Sequence, residues 1–122
     1  MAAKKKAKRK VTKKKPVRKT ARKTARKFKS LAQVRVAIDA MDKKIVPLLC
    51  ERLYLVTQAA QFKPSVEGVI VQSRVEEVVN NAKRIAAKKG GNPDTIGAVY
   101  RVLIDAFTVD EQNRWRELHG QS

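Results

Sequence analysis

The sequence predicts an all-α fold, a chain of three helices in the order long, short, long, and three observations carry that expectation. Apolar residues from Leu31 onwards recur at alternating spacings of three and four, as they do along a helix with one buried stripe. Helix start and stop residues stand at Ser30, at Gly90-Gly91 and at Asn92-Pro93. The short β-branched run Val69-Ile70-Val71 has no second run to pair with, which leaves no basis for a sheet.

A basic tail precedes the helices. Residues 1–29 hold 16 of the 29 Lys and Arg and none of the 11 Asp and Glu, so they carry 16 of the 18 net positive charges. Residues 30–122 form a separate domain with a net charge of only +2. Beyond Val11, Val17 and Phe28 the tail has no large apolar residue, too little to offset the entropy of ordering it, and we expect it to be disordered. Its repeat Arg18-Lys19-Thr20-Ala21, Arg22-Lys23-Thr24-Ala25, Arg26-Lys27 resembles in composition the Lys/Ala/Thr arms of linker-histone-like proteins. Polycations bind nucleic acid through counterion release without reading sequence, so non-specific nucleic-acid binding is expected of residues 4–29.

The composition also excludes several classes. One Cys cannot close an intramolecular disulfide, and one His with one Cys falls short of a typical structural zinc site. The same scarcity leaves too few bases for several familiar kinds of nucleophilic catalysis. No apolar run is long enough for a signal peptide or a membrane span; the expectation is a cytoplasmic protein with no membrane partner.

In the first helix Leu31, Val34, Ile38, Met41, Ile45, Leu48, Leu55, Ala59 and Phe62 form the stripe, and Ser30 is its N-cap. It is expected to run to about Lys63, roughly 50 Å at ~1.5 Å per residue. So long a helix in so small a domain implies a stripe covered partly by another subunit. Pro47 removes one backbone donor inside it, and the stripe stays in phase on both sides, which predicts one kinked helix. Pro64 to Gln72 reads as a loop. The second helix is expected from Ser73, with Glu76 completing a capping box, to Gly90-Gly91. The third starts with Asn92 as cap and Pro93 in first position, its stripe passing through Ile96, Val99, Leu103 and Ala106 or Phe107 towards Trp115.

Arg52 interrupts the first stripe, and a charge in an apolar seam is costly unless an opposite charge meets it. Lys63 follows eleven positions later, which at ~100° per residue returns to within about 20° of the same helix face. The two cations are therefore expected to line one side of the helix, with Arg35 about 100° away. Taken singly these residues have ordinary readings. Arg35 would pair with Asp39, Arg52 would reach past the seam to water, Lys63 would cap a solvated helix end, and Arg74 would pair with Glu76 or Glu77. Cys50 reads as a small buried hydrophobe, His119 as a solvated terminal residue and Trp115 as packing.

Jointly, Val34-Arg35-Val36-Ala37-Ile38-Asp39-Ala40-Met41-Asp42, Leu49-Cys50-Glu51-Arg52, Phe62-Lys63, Ser73-Arg74-Val75, Glu111-Gln112 and Trp115-Arg116 resemble the all-helical, type II chorismate mutase family, including its isochorismate-pyruvate lyase relatives. The resemblance covers Ser30 to about Leu118. It implies an intertwined helical homodimer in which Arg35 comes from the partner chain and, with Arg52, grips a substrate carboxylate in bidentate fashion. Lys63 and Gln112 would donate to the breaking ether oxygen, Lys63 also touching a carboxylate. Arg74 would hold the second carboxylate or brace the loop, and Thr108 would line the pocket. The catalytic set implied is Lys63, Gln112 and Arg52. The reaction is pericyclic and implies no metal and no cofactor.

In the resemblance, mutases carry a Glu after the arginine matching Arg74, whereas Val75 stands here. The lyase branch has an apolar residue at that place. Three expectations follow: chorismate to prephenate first, isochorismate to salicylate and pyruvate second, and a histone-like nucleic-acid-binding dimer third.

Overall fold

A computed structural model describes residues 27–120; the tail ahead of Lys27, with the disorder and nucleic-acid binding expected of it, lies outside the described residues. Three α-helices follow in the expected order: α1, Leu31–Ala59, of 29 residues; α2, Gln72–Lys88, of 17; and α3, Pro93–Leu118, of 26. Two 3₁₀ turns, Ala60–Phe62 and Glu67–Val69, lie between α1 and α2. Among the described residues there is no strand, and no helix is long and apolar enough to cross a membrane.

Ser30 caps α1 as expected, its Oγ accepting from the Gln33 amide at 3.1 Å. Gln33 reaches back to the Lys29 amide at 2.8 Å, so orphan donors on both sides of the cap are satisfied. The helix runs through Pro47 as one element. Its end differs from expectation. The α-helix stops at Ala59 and tightens into a 3₁₀ turn, and Lys63 is extended at φ −96°, ψ 145°. Pro64 is the cause: its ring would strike the Ala60 carbonyl in a continuing helix, and it drives the residue before it out of the helical region. Lys63 is therefore off the helix, and the eleven-residue spacing that placed it on the face of Arg52 does not apply. Likewise α2 begins at Gln72, which makes Ser73 a first-turn residue and not the N-cap.

The described residues fall into two compact units. One contains Glu76–Arg101. Within it α2 ends at Gly90, whose φ of +79° only glycine adopts at little cost. The Gly91 amide donates to the Ala86 carbonyl at 2.8 Å. Asn92 then caps α3, its Oδ1 accepting from the amides of Asp94 and Thr95 at 3.0 and 3.2 Å. Val79, Ala82 and Ala86 are buried, and Gly97 leaves room for the aliphatic stem of Lys83, which a Cβ there would meet at 3.0 Å. Arg101 and Glu76 form a two-pronged ion pair at 2.9 and 3.0 Å.

The other unit contains Phe28–Val75 and the chain from Val102 onwards. Its core is Ala60, Val69 and Trp115, with Val66 packed against them. No residue of α1 is buried. Leu31, Ile38, Met41, Ile45, Leu48 and Leu55 are between 42% and 66% exposed. An open depression of about 420 Å³ is walled by Cys50, Glu51, Tyr54 and Leu55 of this one helix. Cys50 is thus exposed, contrary to the burial expected of it, because none of the described residues folds over this part of α1.

Candidate active site

The chain from Lys63 to Val69 is anchored to the C-terminal half of α3 at both ends of a single side chain. The Trp115 indole N–H donates to the Lys63 carbonyl at 2.9 Å. The Lys63 ammonium donates to Glu111 Oε2 at 3.0 Å and to the Val69 carbonyl at 2.9 Å. Gln112 adds a third tie, its Nε2 donating to the Val66 carbonyl at 3.2 Å. Glu111 and Trp115 lie one turn apart on α3, so the two can meet the tip and the root of the same lysine. Within the segment Gly68 N donates to Ser65 Oγ at 2.9 Å, and a Cβ at Gly68 would press on Pro64 and Ser65 at 3.0 Å.

Both ends of the ion pair are shielded, with the Lys63 and Glu111 side chains 22% and 7% exposed. Taking such charges from water is expensive, and only good geometry and further hydrogen bonds offset it; the Val69 carbonyl supplies one. An ammonium has three donors and an amide nitrogen two. Lys63 uses two on protein acceptors and Gln112 uses one, so each retains one N–H beyond its bonds to the described residues.

Arg52, half-buried, lies over the Phe107 ring at 5.4 Å from its centroid, an electrostatically favourable seat for a guanidinium. Arg52 thus leans on Phe107 and stays partly exposed. Thr108 is half-buried and donates to the Ile104 carbonyl at 2.8 Å. Arg74 is exposed in the first turn of α2.

Arg35 is not brought to this group. It is exposed near the start of α1, and the 24 residues from it to Ala59 place it roughly 36 Å away along the helix at ~1.5 Å per residue. Among the described residues no ion pair joins it to Asp39.

Two residues have more to do than their sequence setting implied. Trp115 is buried as expected of packing, but it also holds the Lys63 backbone. His119 stacks on Trp115 with ring centroids 3.9 Å apart and an 18° interplanar angle, in place of a purely solvated role. Glu111 is the residue that inspection of single positions missed. It stands in the four-residue register Leu103, Phe107, Glu111, Trp115, and an acid in that apolar register calls for a buried cation.

The family described as chorismate mutase type II matches residues 34–112, a span that holds every residue of this cluster but Trp115 and His119. The chain belongs to the type II chorismate mutase family. A relative within reach of this family assignment is the isochorismate pyruvate lyase of Pseudomonas aeruginosa, 28% identical over 90 residues, which cover 74% of this chain and 89% of that protein. The matched span gathers the Lys63 ammonium and the Gln112 amide on the segment from Lys63 to Val69.

Proposed function

We propose that the protein is a chorismate mutase, converting chorismate to prephenate. The observation that carries the proposal is the pair of remaining N–H donors on Lys63 and Gln112, anchored to the same short segment, beside the family membership. In the rearrangement one C–O ether bond breaks as one C–C bond forms within a single molecule, and negative charge develops on the ether oxygen. Preorganised donors aimed at that oxygen lower the barrier, and cations on the two carboxylates hold the reactive conformer. Lys63 and Gln112 take the first role; Arg52, Arg74 and Arg35 take the second, and Thr108 lines the pocket. Arg35 lies too far along α1 to serve its own chain's Lys63, so it serves the site of a second copy. The uncovered apolar stripe of α1 supports that homodimer, since its leucines and isoleucines are left to water in one chain.

A second reading is isochorismate-pyruvate lyase activity. It is favoured by the name of the Pseudomonas aeruginosa relative and by Val75 in place of an acid after Arg74. One experiment tests both: the full chain is incubated with chorismate and, separately, with isochorismate, and prephenate and salicylate are quantified. Prephenate supports the first reading and salicylate the second. Neither product, from folded protein, refutes both.

The tail supports a separate reading, that residues 4–29 tether the enzyme to nucleic acid, because 16 cations stand there without one acid. Binding of full-length protein to duplex DNA should then fall steeply between about 50 and 200 mM salt. Equal binding by a chain beginning at Ser30 refutes it.

A further inference from the structure

We infer that Glu111 is a positioning residue that acts through Lys63, an inference that rests on the reading of Lys63 as a substrate-contacting group. Glu111 is 6% exposed, in a register whose other members are apolar. Its carboxylate reaches one cation, Lys63, at 3.0 Å. A lysine is a long, freely rotating side chain, and left alone at the edge of a loop it samples many directions. Here α3 holds it twice within one helical turn, the backbone carbonyl by Trp115 and the ammonium by Glu111. The remaining direction of freedom is closed by the Val69 carbonyl. The ammonium therefore has one orientation before any substrate arrives, with its third N–H left to aim.

The charge of Glu111 makes this more than packing. A carboxylate beside Lys63 weakens the attraction of the site for a dianionic substrate, so its contribution to substrate binding is unfavourable. A residue that opposes binding yet fixes the aim of a donor acts on the chemical step. Removing its charge while keeping its shape should therefore separate kcat from KM in a way that loss of structure does not.

The test uses the full chain and its Glu111→Gln, Lys63→Met and doubly substituted forms, assayed with whichever of chorismate and isochorismate the native chain turns over. Glu111→Gln is expected to lower kcat at least tenfold with KM unchanged or lower. Added to Lys63→Met, it is expected to change kcat by less than twofold, because the side chain it orients is gone. A raised KM at native kcat, or effects that multiply in the double variant, overturns the inference. A second measurement is independent of turnover: acetylation of the full chain by acetic anhydride, with the rate at Lys63 referred to that at exposed Lys43 by peptide mass spectrometry. Lys63 is expected to react at least fivefold more slowly than Lys43 in the native chain and to lose most of that protection in Glu111→Gln. Protection unchanged by the substitution overturns the inference whether or not either substrate reacts, while failure of turnover alone counts against the proposed function.

Discussion

Trp115 and Lys63, 52 positions apart in the chain, share a hydrogen bond of 2.9 Å from indole nitrogen to backbone carbonyl. The bond ties the Lys63 backbone to α3, and so holds the root of the Lys63 side chain. Trp115→Phe keeps the aromatic packing and removes the donor. We expect a loss of about 1 kcal/mol in stability, read by denaturant titration, and a several-fold drop in kcat as the root of Lys63 shifts. Native kcat in a folded Trp115→Phe protein would show that the bond serves stability alone.

Lys63→Ala and Gln112→Ala each remove a donor proposed to face the developing negative charge. Loss of one such donor typically costs ~2.7–4 kcal/mol in the barrier, or about 10²–10³ in kcat. Lys63→Ala carries an added penalty, since it strands the Glu111 carboxylate in a buried place; we expect roughly 1–3 kcal/mol of destabilisation, largely relieved by adding Glu111→Gln. Steady-state kinetics and thermal melts of the single and double variants check both halves.

The exposed stripe of α1 predicts the oligomeric state. The native chain should elute at twice its monomer mass in light-scattering chromatography. An Asp at Ile45 or Leu48 should shift it towards monomer and reduce turnover to background, because the monomer lacks a second chain's Arg35. Full activity in a monomeric variant would refute the shared site.

Gly90 offers a test in the other compact unit. Its φ of +79° is open to glycine and next best to Asn. Gly90→Ala is expected to cost about 1 kcal/mol, with Gly90→Asn milder. The unit that contains Gly90 holds none of the residues proposed for the chemistry, so kcat should stay at its native value in both variants while the melting temperature falls.

Much of the fold could be read from local rules. Ser30, Gly90 and Asn92-Pro93 mark helix boundaries through hydrogen bonds that involve only near neighbours, and all three are found at the ends they were expected to mark. The end of α1 is local too: apolar spacing alone carries the stripe to Lys63, but the steric demand of Pro64 acts backwards along the chain and ends the helix at Ala59. Other departures arise where a residue's surroundings are set from afar. The usual habit of cysteine predicts that Cys50 is buried, but burial depends on what lies opposite, and none of the described residues covers that part of α1. The Lys63–Glu111 contact joins positions 48 apart; only the shared oddity of a cation and an acid in or beside apolar registers hinted at it.

The placement of Pro64 has a consequence for how such a site can vary. The long rigid rod of α1 fixes how far Lys63 stands from the helix start, but with the break just after Ala59 it does not fix which way the side chain points. In a continuing helix each residue added or lost would swing the ammonium by ~100° about the axis. The break lets Lys63 leave the helix and turn to α3, which holds its amine through Glu111 and its carbonyl through Trp115. The aim of the charge thus answers to contacts made about fifty positions further along the chain, and a change in the length of α1 would act first as strain on those two bonds.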